Sequence, residues 1–312
     1  MPNRAHQQAP GDDVVNAATD VVGTRVDQLG ECPLWDPRLD ALYTIDIDGR
    51  SVHRTHPTTA ATEVQEVSGR PGSIALTADP NTLLAAIEDQ LGWLDWNSGA
   101  LTPWRRLDTG GPANRLNDGA CDRSGRFWVG SMHENASEST GILHRVAGSG
   151  ESTEILRATG VPNGLAFSPD GATMYYADSL AKTVWAYDYD TATGNRSNQR
   201  VLTDFAGLPG TADGATIDED GCYWIACVFG SAIARITPQG DVDRLVAVPV
   251  DKPTKPAFGG TNLDTLFVTS IGGGGSHERH DDPGLNGRLL AIDVGVRGVQ
   301  EPIFSGVPGQ SK

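Results

Sequence analysis

The strongest constraint on the fold is a repeat of about 45 residues. Each repeat holds three or four short segments rich in β-branched and aromatic residues, separated by turns that contain Gly, as in residues 212–240. A sheet of this size is not stable alone, so each unit must pack against copies of itself. Six copies fit the chain, and their anchor residues lie 40 to 50 residues apart. The anchors, taken just before the first Gly of each unit or at its equivalent, are Glu31, Pro71, Asp118, Asn163, Asp213 and Phe258.

This period predicts an all-β protein, a closed six-bladed β-propeller with four-stranded antiparallel blades. We expect residues 1–20 to form a flexible N-terminal tail and residues 21–312 to form one propeller domain. A predicted strand over residues 21–29 precedes the first unit, and we expect it to complete the last blade and close the ring. The sixth unit carries an insertion at residues 272–287, which we expect at the channel mouth, where it would shape access.

Charge and composition argue against several kinds of partner. The 312-residue chain has a net charge of −16, which opposes binding to nucleic acids and to anionic membrane surfaces. The first twenty residues lack the apolar core of a signal peptide, and no apolar run is long enough to span a membrane. The four Cys have no metal-ligand spacing, so we expect free thiols. The sequence therefore predicts a cytoplasmic protein and leaves its oligomeric state open.

The anchors are predicted to line the central channel, because the first strand of each propeller blade faces the axis. Four of them, Glu31, Asp118, Asn163 and Asp213, carry side-chain oxygen atoms, and we expect no Lys or Arg among them. Three converging carboxylates repel one another unless a cation lies between them, and oxygen ligands favour hard ions such as Ca²⁺, Mg²⁺ or Mn²⁺. Asp-Gly and Asn-Gly are also common turn dipeptides, so the spacing alone leaves both interpretations open.

Five groups of motifs, in order and at the blade period, make the chain similar to a known family. They are residues 29–35 (LGECPLW), 115–119 (RLNDG) with 125–128 (GRFW), 162–165 (PNGL), 212–214 (ADG) with 224–226 (WIA), and 258–260 (FGG). The sequence resembles the family of senescence marker protein (regucalcin), gluconolactonases and related sugar lactonases. The resemblance implies a six-bladed propeller that holds one divalent metal cation in its channel. Ca²⁺ is the expected ion, with Mg²⁺, Mn²⁺ and Zn²⁺ left open.

The resemblance also implies a role for individual residues. Glu31, Asn163 and Asp213 match the family's metal ligands, and Asp213 is in addition the candidate catalytic general base. Arg115 and Asn117 match the pair that contacts substrate hydroxyl groups.

The chain departs from the family pattern at two places. Cys32 stands where Gly is usual, which we expect only to repack the first strand. A Glu that helps to hold the sugar in animal members falls by position on Asn135, with Glu134 beside it. We therefore include Glu134 and Asn135 as candidate substrate-binding residues, and the preferred lactone stays open.

These residues predict divalent-metal-dependent hydrolysis of a sugar lactone, such as gluconolactone, to the sugar acid. The metal would polarise the lactone carbonyl while water attacks it, assisted by Asp213. Two alternatives stay open: a phosphotriesterase of the diisopropyl-fluorophosphatase kind, and a non-catalytic calcium-binding propeller. Arg115 favours the lactonase, because a polyhydroxylated substrate needs hydrogen-bond donors that an apolar organophosphate does not. An oxygen-rich channel disfavours a scaffold, which would present its features on blade edges.

Overall fold

The computed structural model of the protein describes residues 14–272 and 284–309. Within these ranges every regular element is a β-strand, and the strands form six sheets. The first strand of each sheet contacts the first strands of both neighbouring sheets, which closes a ring around a central channel. The predicted all-β, six-bladed propeller is confirmed. The described residues contain no helix long and apolar enough to cross a membrane.

Two short strands precede the first blade, and each blade then follows the previous one along the chain. The preceding strands are β1 (Val14–Val15) and β2 (Thr19–Val22). Blade one comprises β3 (Gly30–Asp36), β4 (Ala41–Asp46), β5 (Ser51–His56) and β6 (Ala61–Glu66). Blade two comprises β7 (Pro71–Leu76), β8 (Thr82–Ile87), β9 (Gln90–Asp95) and β10 (Leu101–Arg106). Blade three comprises β11 (Asn114–Cys121), β12 (Phe127–His133), β13 (Gly141–Val146) and β14 (Ser152–Thr159).

The second half of the ring repeats this arrangement, with the last blade one strand short. Blade four comprises β15 (Pro162–Phe167), β16 (Thr173–Asp178), β17 (Thr183–Asp190) and β18 (Asn195–Asp204). Blade five comprises β19 (Thr211–Ile217), β20 (Tyr223–Val228), β21 (Ala232–Ile236) and β22 (Val242–Ala247). Blade six comprises β23 (Pro253–Gly259), β24 (Thr265–Ser270) and β25 (Leu289–Asp293).

The N-terminal segment supplies the missing strand of blade six. Strand β2 pairs antiparallel with β25, and Val21 lies opposite Leu290. The closing strand therefore lies at Thr19–Val22 rather than over residues 21–29, and Thr19 and Asp20 pair although they fall in the predicted tail. Gly23 ends this strand with a positive φ of 71°. Strand β1 adds a parallel edge strand to blade five, so the segment joins the last two blades.

The core lies between the faces of adjacent blades. Trp128 in β12 and Trp224 in β20 are completely buried, and each packs against an aromatic side chain of the next blade. Burying side chains of this size stabilises the fold by about 1.5–3 kcal/mol each. All four Cys are buried and free, as predicted. Most of the predicted insertion, residues 273–283, lies outside the described residues, so its expected place at the channel mouth stays a prediction.

Candidate functional site

The innermost strand of every blade has a break in its pairing register at a corresponding point. Such a bulge releases residues from the ladder and re-aims their side chains. The breaks lie between Glu31 and Leu34, Pro71 and Ser73, Leu116 and Gly119, Asn163 and Ala166, Ala212 and Ala215, and Pro253 and Pro256. The predicted polar anchors of blades one, three, four and five all lie at or inside these bulges. The bulges thus account for polar side chains that face the channel from strands that are otherwise apolar.

One cavity of about 370 Å³ brings together five of the residues that the sequence singled out. They are Glu31, Arg115, Asn117, Asn163 and Asp213. The rest of the wall is largely apolar and includes Ile47, Leu180 and Val228. A cavity with apolar walls and a few convergent polar groups is the usual form of a small-molecule site.

A chain of hydrogen bonds fixes the polar side chains on one wall. Arg115 Nη1 donates to Asn117 Oδ1 at 2.8 Å, and Asn117 Nδ2 donates to Asn163 Oδ1 at 3.2 Å. Asn163 Nδ2 in turn donates to Ser179 Oγ at 2.8 Å. These contacts orient both amides, so that Asn163 presents an oxygen rather than an NH₂ group toward Asn117. Within the described ranges the Arg115 guanidinium makes its hydrogen bonds through Nη1, so Nε and Nη2 remain as donors for a bound molecule.

Two carboxyl groups in the cavity are destabilised as anions. Burial raises the pKa of Glu31 to about 7; Lys255 opposes this shift and Asp118 adds to it. Asp213 is half-buried at the cavity, and burial, together with Glu31 and Asp118, raises its pKa well above the ordinary value. Glu31 Oε2 accepts one hydrogen bond, from the Cys32 backbone N–H at 2.6 Å. Each carboxylate therefore needs a proton or a nearby cation to be stable here.

The donor set fits a hard divalent cation. Glu31 and Asp213 supply two carboxylates of total charge −2, and Asn163 Oδ1 supplies a neutral oxygen in the same cavity. Oxygen ligands of this kind suit Ca²⁺, Mg²⁺ or Mn²⁺. Over the described ranges no three His, Cys, Asp or Glu side chains form a metal-binding group, so a centre here depends on the Asn.

The prediction that the channel ring holds no Lys or Arg is wrong. Lys255 is buried in the channel, and its Nζ lies 2.5 Å from Asp118 Oδ1. The predicted sixth anchor, Phe258, instead packs between blades, with its ring 5.8 Å from that of Trp224. The reason is the position of the bulge in β23, which lies at Thr254 and Lys255, three residues before Phe258.

The structure does not bring the two candidates of the third blade into the cavity. Glu134 is exposed, and its Oε2 lies 3.4 Å from Arg70 Nη2 in an ion pair. Asn135 is exposed in the turn after β12, where its backbone N–H contacts His133. The described cavity wall includes Ala136 but neither of these two residues. Their substrate-binding role stays a prediction.

Cys32 has a more specific effect than the repacking expected from the sequence. It lies in the bulge of β3 with a φ of +48°, a left-handed conformation that favours Gly. The equivalent bulge in β15 has Gly164, with a φ of +59°. A non-Gly residue in this region costs roughly 1–2 kcal/mol, so Cys32 adds backbone strain at this bulge.

Comparison with known proteins agrees with this architecture. The family model described as "SMP-30/Gluconolactonase/LRE-like region" matches residues 29–272. The chain belongs to this family.

Its relatives include a regucalcin of Xenopus laevis, 32% identical over 89% of this chain and 95% of the relative. A 6-deoxy-6-sulfogluconolactonase of Pseudomonas putida is 34% identical, again over 89% of this chain and 95% of the relative. The solved structure of a calcium-binding protein, regucalcin, from Agrobacterium tumefaciens superposes with a TM-score of 0.86 at 29% identity. That match covers 94% of this chain and 99% of the other.

Proposed function

We propose that this protein is a divalent-metal-dependent lactonase that hydrolyses a sugar lactone, such as gluconolactone, to the corresponding sugar acid. The observation that carries the proposal is the single cavity in which Glu31, Asn163 and Asp213 converge beside Arg115. The name of the Pseudomonas putida relative supports the reaction class. The net charge of −16 is consistent with a small-molecule substrate and opposes nucleic-acid binding.

Glu31, Asn163 and Asp213 would hold the cation. Three protein ligands leave positions open, because hard ions of this class take six or more oxygen ligands. When bound, a divalent cation would supply Lewis acidity toward the lactone carbonyl oxygen. Ca²⁺ is the first choice, since all three ligands are oxygens and regucalcin-named proteins are among the relatives.

Arg115 and Asn117 would bind and orient the substrate. Arg115 is held by Leu116 O at 3.0 Å and by Asn117 Oδ1 at 2.8 Å, so its guanidinium has a fixed position in the cavity wall. Burial lowers the pKa of Arg115, but a guanidinium remains charged at neutral pH. A fixed, charged donor is suited to the ring hydroxyls or the carbonyl of an aldonolactone.

Asp213 would act on the attacking water. Water adds to the lactone carbonyl carbon, and Asp213 accepts the proton that the water loses. The ring C–O bond then breaks, and Asp213 returns this proton to the leaving ring oxygen, which gives the hydroxy acid. The raised pKa of Asp213 makes its carboxylate a stronger base than an exposed Asp. A bound cation would reduce this basicity, so binding the cation and accepting the proton compete at Asp213.

Proton release on a panel of aldonolactones, measured with a pH indicator, tests the proposal. We expect turnover that is lost after complete chelation and restored by Ca²⁺ or another divalent ion. Asp213→Asn should reduce turnover by roughly 10²–10⁴-fold. Asp188→Asn, at an exposed acid of the outer part of blade four, is the matched control and should leave it unchanged.

Three results would contradict the proposal. Full activity after the bound ions are removed would contradict metal dependence. Faster hydrolysis of an organophosphate ester than of any lactone would favour the phosphotriesterase. Tight Ca²⁺ binding without hydrolysis of either substrate class would indicate the non-catalytic calcium-binding propeller.

A further inference from the structure

Lys255 extends across the channel from one side of the ring to the other. It projects from β23 in blade six, and its Nζ reaches Asp118 on β11 in blade three, which is the opposite blade of a six-bladed ring. Its aliphatic stem lies against the backbone of blade five: a Cβ added to Gly214 would approach Lys255 Cβ and Cγ to 2.5 Å. The Gly that follows Asp213 therefore leaves the space through which the lysine passes.

Both carboxylate oxygens of Asp118 already accept a hydrogen bond. Its Oδ1 accepts from Lys255 Nζ, and its Oδ2 accepts from the Leu165 backbone N–H at 3.0 Å. Asp118 and Lys255 are both buried, and neither lines the 370 Å³ cavity. Lys255 instead lines a separate space of about 30 Å³, together with Cys32 and Gly119, further along the channel.

The pair also affects the carboxylates of the candidate metal centre. Both Lys255 and Asp118 act electrostatically on Glu31 and Asp213, with opposite signs. With Asp118 neutralised by Lys255, the carboxylate charge that remains at the candidate metal centre is that of Glu31 and Asp213; Arg115 adds a separate positive charge to the same cavity. This carboxylate charge of −2 matches one divalent ion, whereas three free carboxylates would favour a higher positive charge.

We propose that Lys255 is a positioning residue that acts as a built-in monovalent cation. It neutralises Asp118 and sets the charge of the channel so that Glu31 and Asp213 hold one divalent ion. This inference rests on the metal centre of the proposed function. Lys255 does not touch the ion. It determines how strongly the site binds the ion and which ionic charge the site prefers.

The test is a double-mutant cycle that removes the charges of the buried pair. Lys255→Met keeps the aliphatic stem and removes the charge, Asp118→Asn keeps the shape and removes the opposite charge, and the double variant removes both. Calorimetry with Ca²⁺ and with Tb³⁺ measures the affinity of each protein for a divalent and a trivalent probe. A circular-dichroism melting curve for each variant reports whether the fold is kept.

The two single variants should change the affinity for Ca²⁺ in opposite directions. Lys255→Met should tighten Ca²⁺ binding by about tenfold or more, and it should favour Tb³⁺ over Ca²⁺ by a further factor of that order. Asp118→Asn leaves an unbalanced ammonium near the site and should weaken Ca²⁺ binding by about tenfold or more. The double variant should return to within about threefold of the wild type, because its local charge is the same.

Opposite changes in Ca²⁺ affinity in the two single variants distinguish a charge effect from structural damage, because damage would weaken binding in every variant. If Lys255→Met does not fold, a comparison of Asp118→Asn with the double variant still decides the question. A charge effect predicts that the double variant regains the Ca²⁺ affinity that Asp118→Asn loses. Equal affinities in all four proteins, or losses that add in the double variant, would overturn the inference alone. A wild type that binds neither probe would instead overturn the metal centre of the proposed function.

Discussion

Arg115 and Asp213 lie in the same cavity but would act on different parts of the substrate. Arg115 is a permanent charge fixed by two short contacts, with donors left over in the described structure. Asp213 is half-buried, and its neighbours disfavour its negative charge. The first residue is suited to recognising hydroxyl groups, and the second to holding a cation and accepting a proton. Substitutions at the two positions should therefore differ in how they depend on the substrate.

Arg115→Ala should reduce catalytic efficiency on a sugar lactone and leave the metal content unchanged. Each lost hydrogen bond to a charged donor is worth about 1.5–3 kcal/mol, which predicts a fall of roughly ten- to several-hundred-fold. A lactone without hydroxyl groups should be hydrolysed almost as before. Steady-state kinetics on both substrates, with Asp213→Asn measured in parallel, gives the comparison. An equal loss of Arg115→Ala activity on both lactones would show that Arg115 is structural or catalytic rather than a hydroxyl-binding residue.

His53 should make the protein sensitive to acid. It is buried in β5, where Nε2 contacts Ser51 Oγ at 2.7 Å and Nδ1 contacts Thr44 Oγ1 at 3.3 Å; Asp27, Asp46 and Arg25 are the nearby charged groups. Burial and Arg25 lower the pKa of His53 from 6.5 to about 3. Its contribution to stability is therefore complete above pH 6.5 and is lost as the pH falls toward 3, because the unfolded chain binds the proton first.

Relative to His53→Gln, the wild type should lose about 2 kcal/mol of unfolding free energy between pH 7 and pH 5. Urea unfolding of both proteins at both pH values measures the difference. This comparison is needed because burial raises the pKa of Asp27 to about 6, and that shift acts in the opposite direction. His56→Gln, at the other end of the same strand, controls for the loss of an imidazole. A pH dependence that is identical in the wild type and His53→Gln would contradict the prediction.

The side chains of the cavity could be predicted from sequence to the extent that they belong to recognisable motifs. Glu31, Asn163 and Asp213 stand beside turn-like Gly or Pro residues at the blade period, and the structure places all three in one cavity. Lys255 could not be found in this way. The period aligned blade six on Phe258, and nothing in the sequence marks the bulge that turns Lys255 into the channel instead.

Strand β2 completes the last blade of the ring. Its four residues pair with Leu289–Ile292 of β25, and Val22 packs against Trp35, Leu42 and Phe267. The sequence predicted that an N-terminal strand closes the last blade, because a segment with strand character precedes the first repeat. Its position was harder to predict. Residues 21–29 alternate like a strand, but Gln28 and Leu29 donate their backbone N–H groups to the Asp46 carboxylate rather than to blade six.

Two N-terminal deletions should separate the contributions of β1 and β2. Removing residues 1–17 takes away β1, which forms a two-residue pairing with β22, and should change the melting temperature little. Removing residues 1–23 also takes away β2 and leaves one edge of β25 unpaired. We expect a further loss of roughly 2–5 kcal/mol, from several backbone hydrogen bonds and the packing of Val22. Equal melting temperatures for the two truncated proteins would show that β2 does not hold the ring closed.

At the scale of the whole molecule, the ring brings distant parts of the chain to one axis. The five polar residues that the sequence singled out reach the cavity from four blades: one from blade one, two from blade three, and one each from blades four and five. Each of them lies on the innermost strand of its blade. The fold and the number of blades follow from the period and the turn residues, which are local features of the sequence. The charge balance of the channel does not, because it depends on contacts between opposite blades such as that of Lys255 with Asp118.

The pairing of Thr19–Val22 with β25 also has a consequence for synthesis. The two strands are about 270 residues apart in the chain, so β2 leaves the ribosome long before its partner exists. At roughly 5–20 residues per second, the interval is on the order of 15–55 seconds. During that time the early blades can form, but the nascent protein keeps an open seam with an unpaired strand. Completion of the ring must therefore wait for the synthesis of β25. Until then, this seam is where a chaperone or a second nascent chain would meet exposed strand edges.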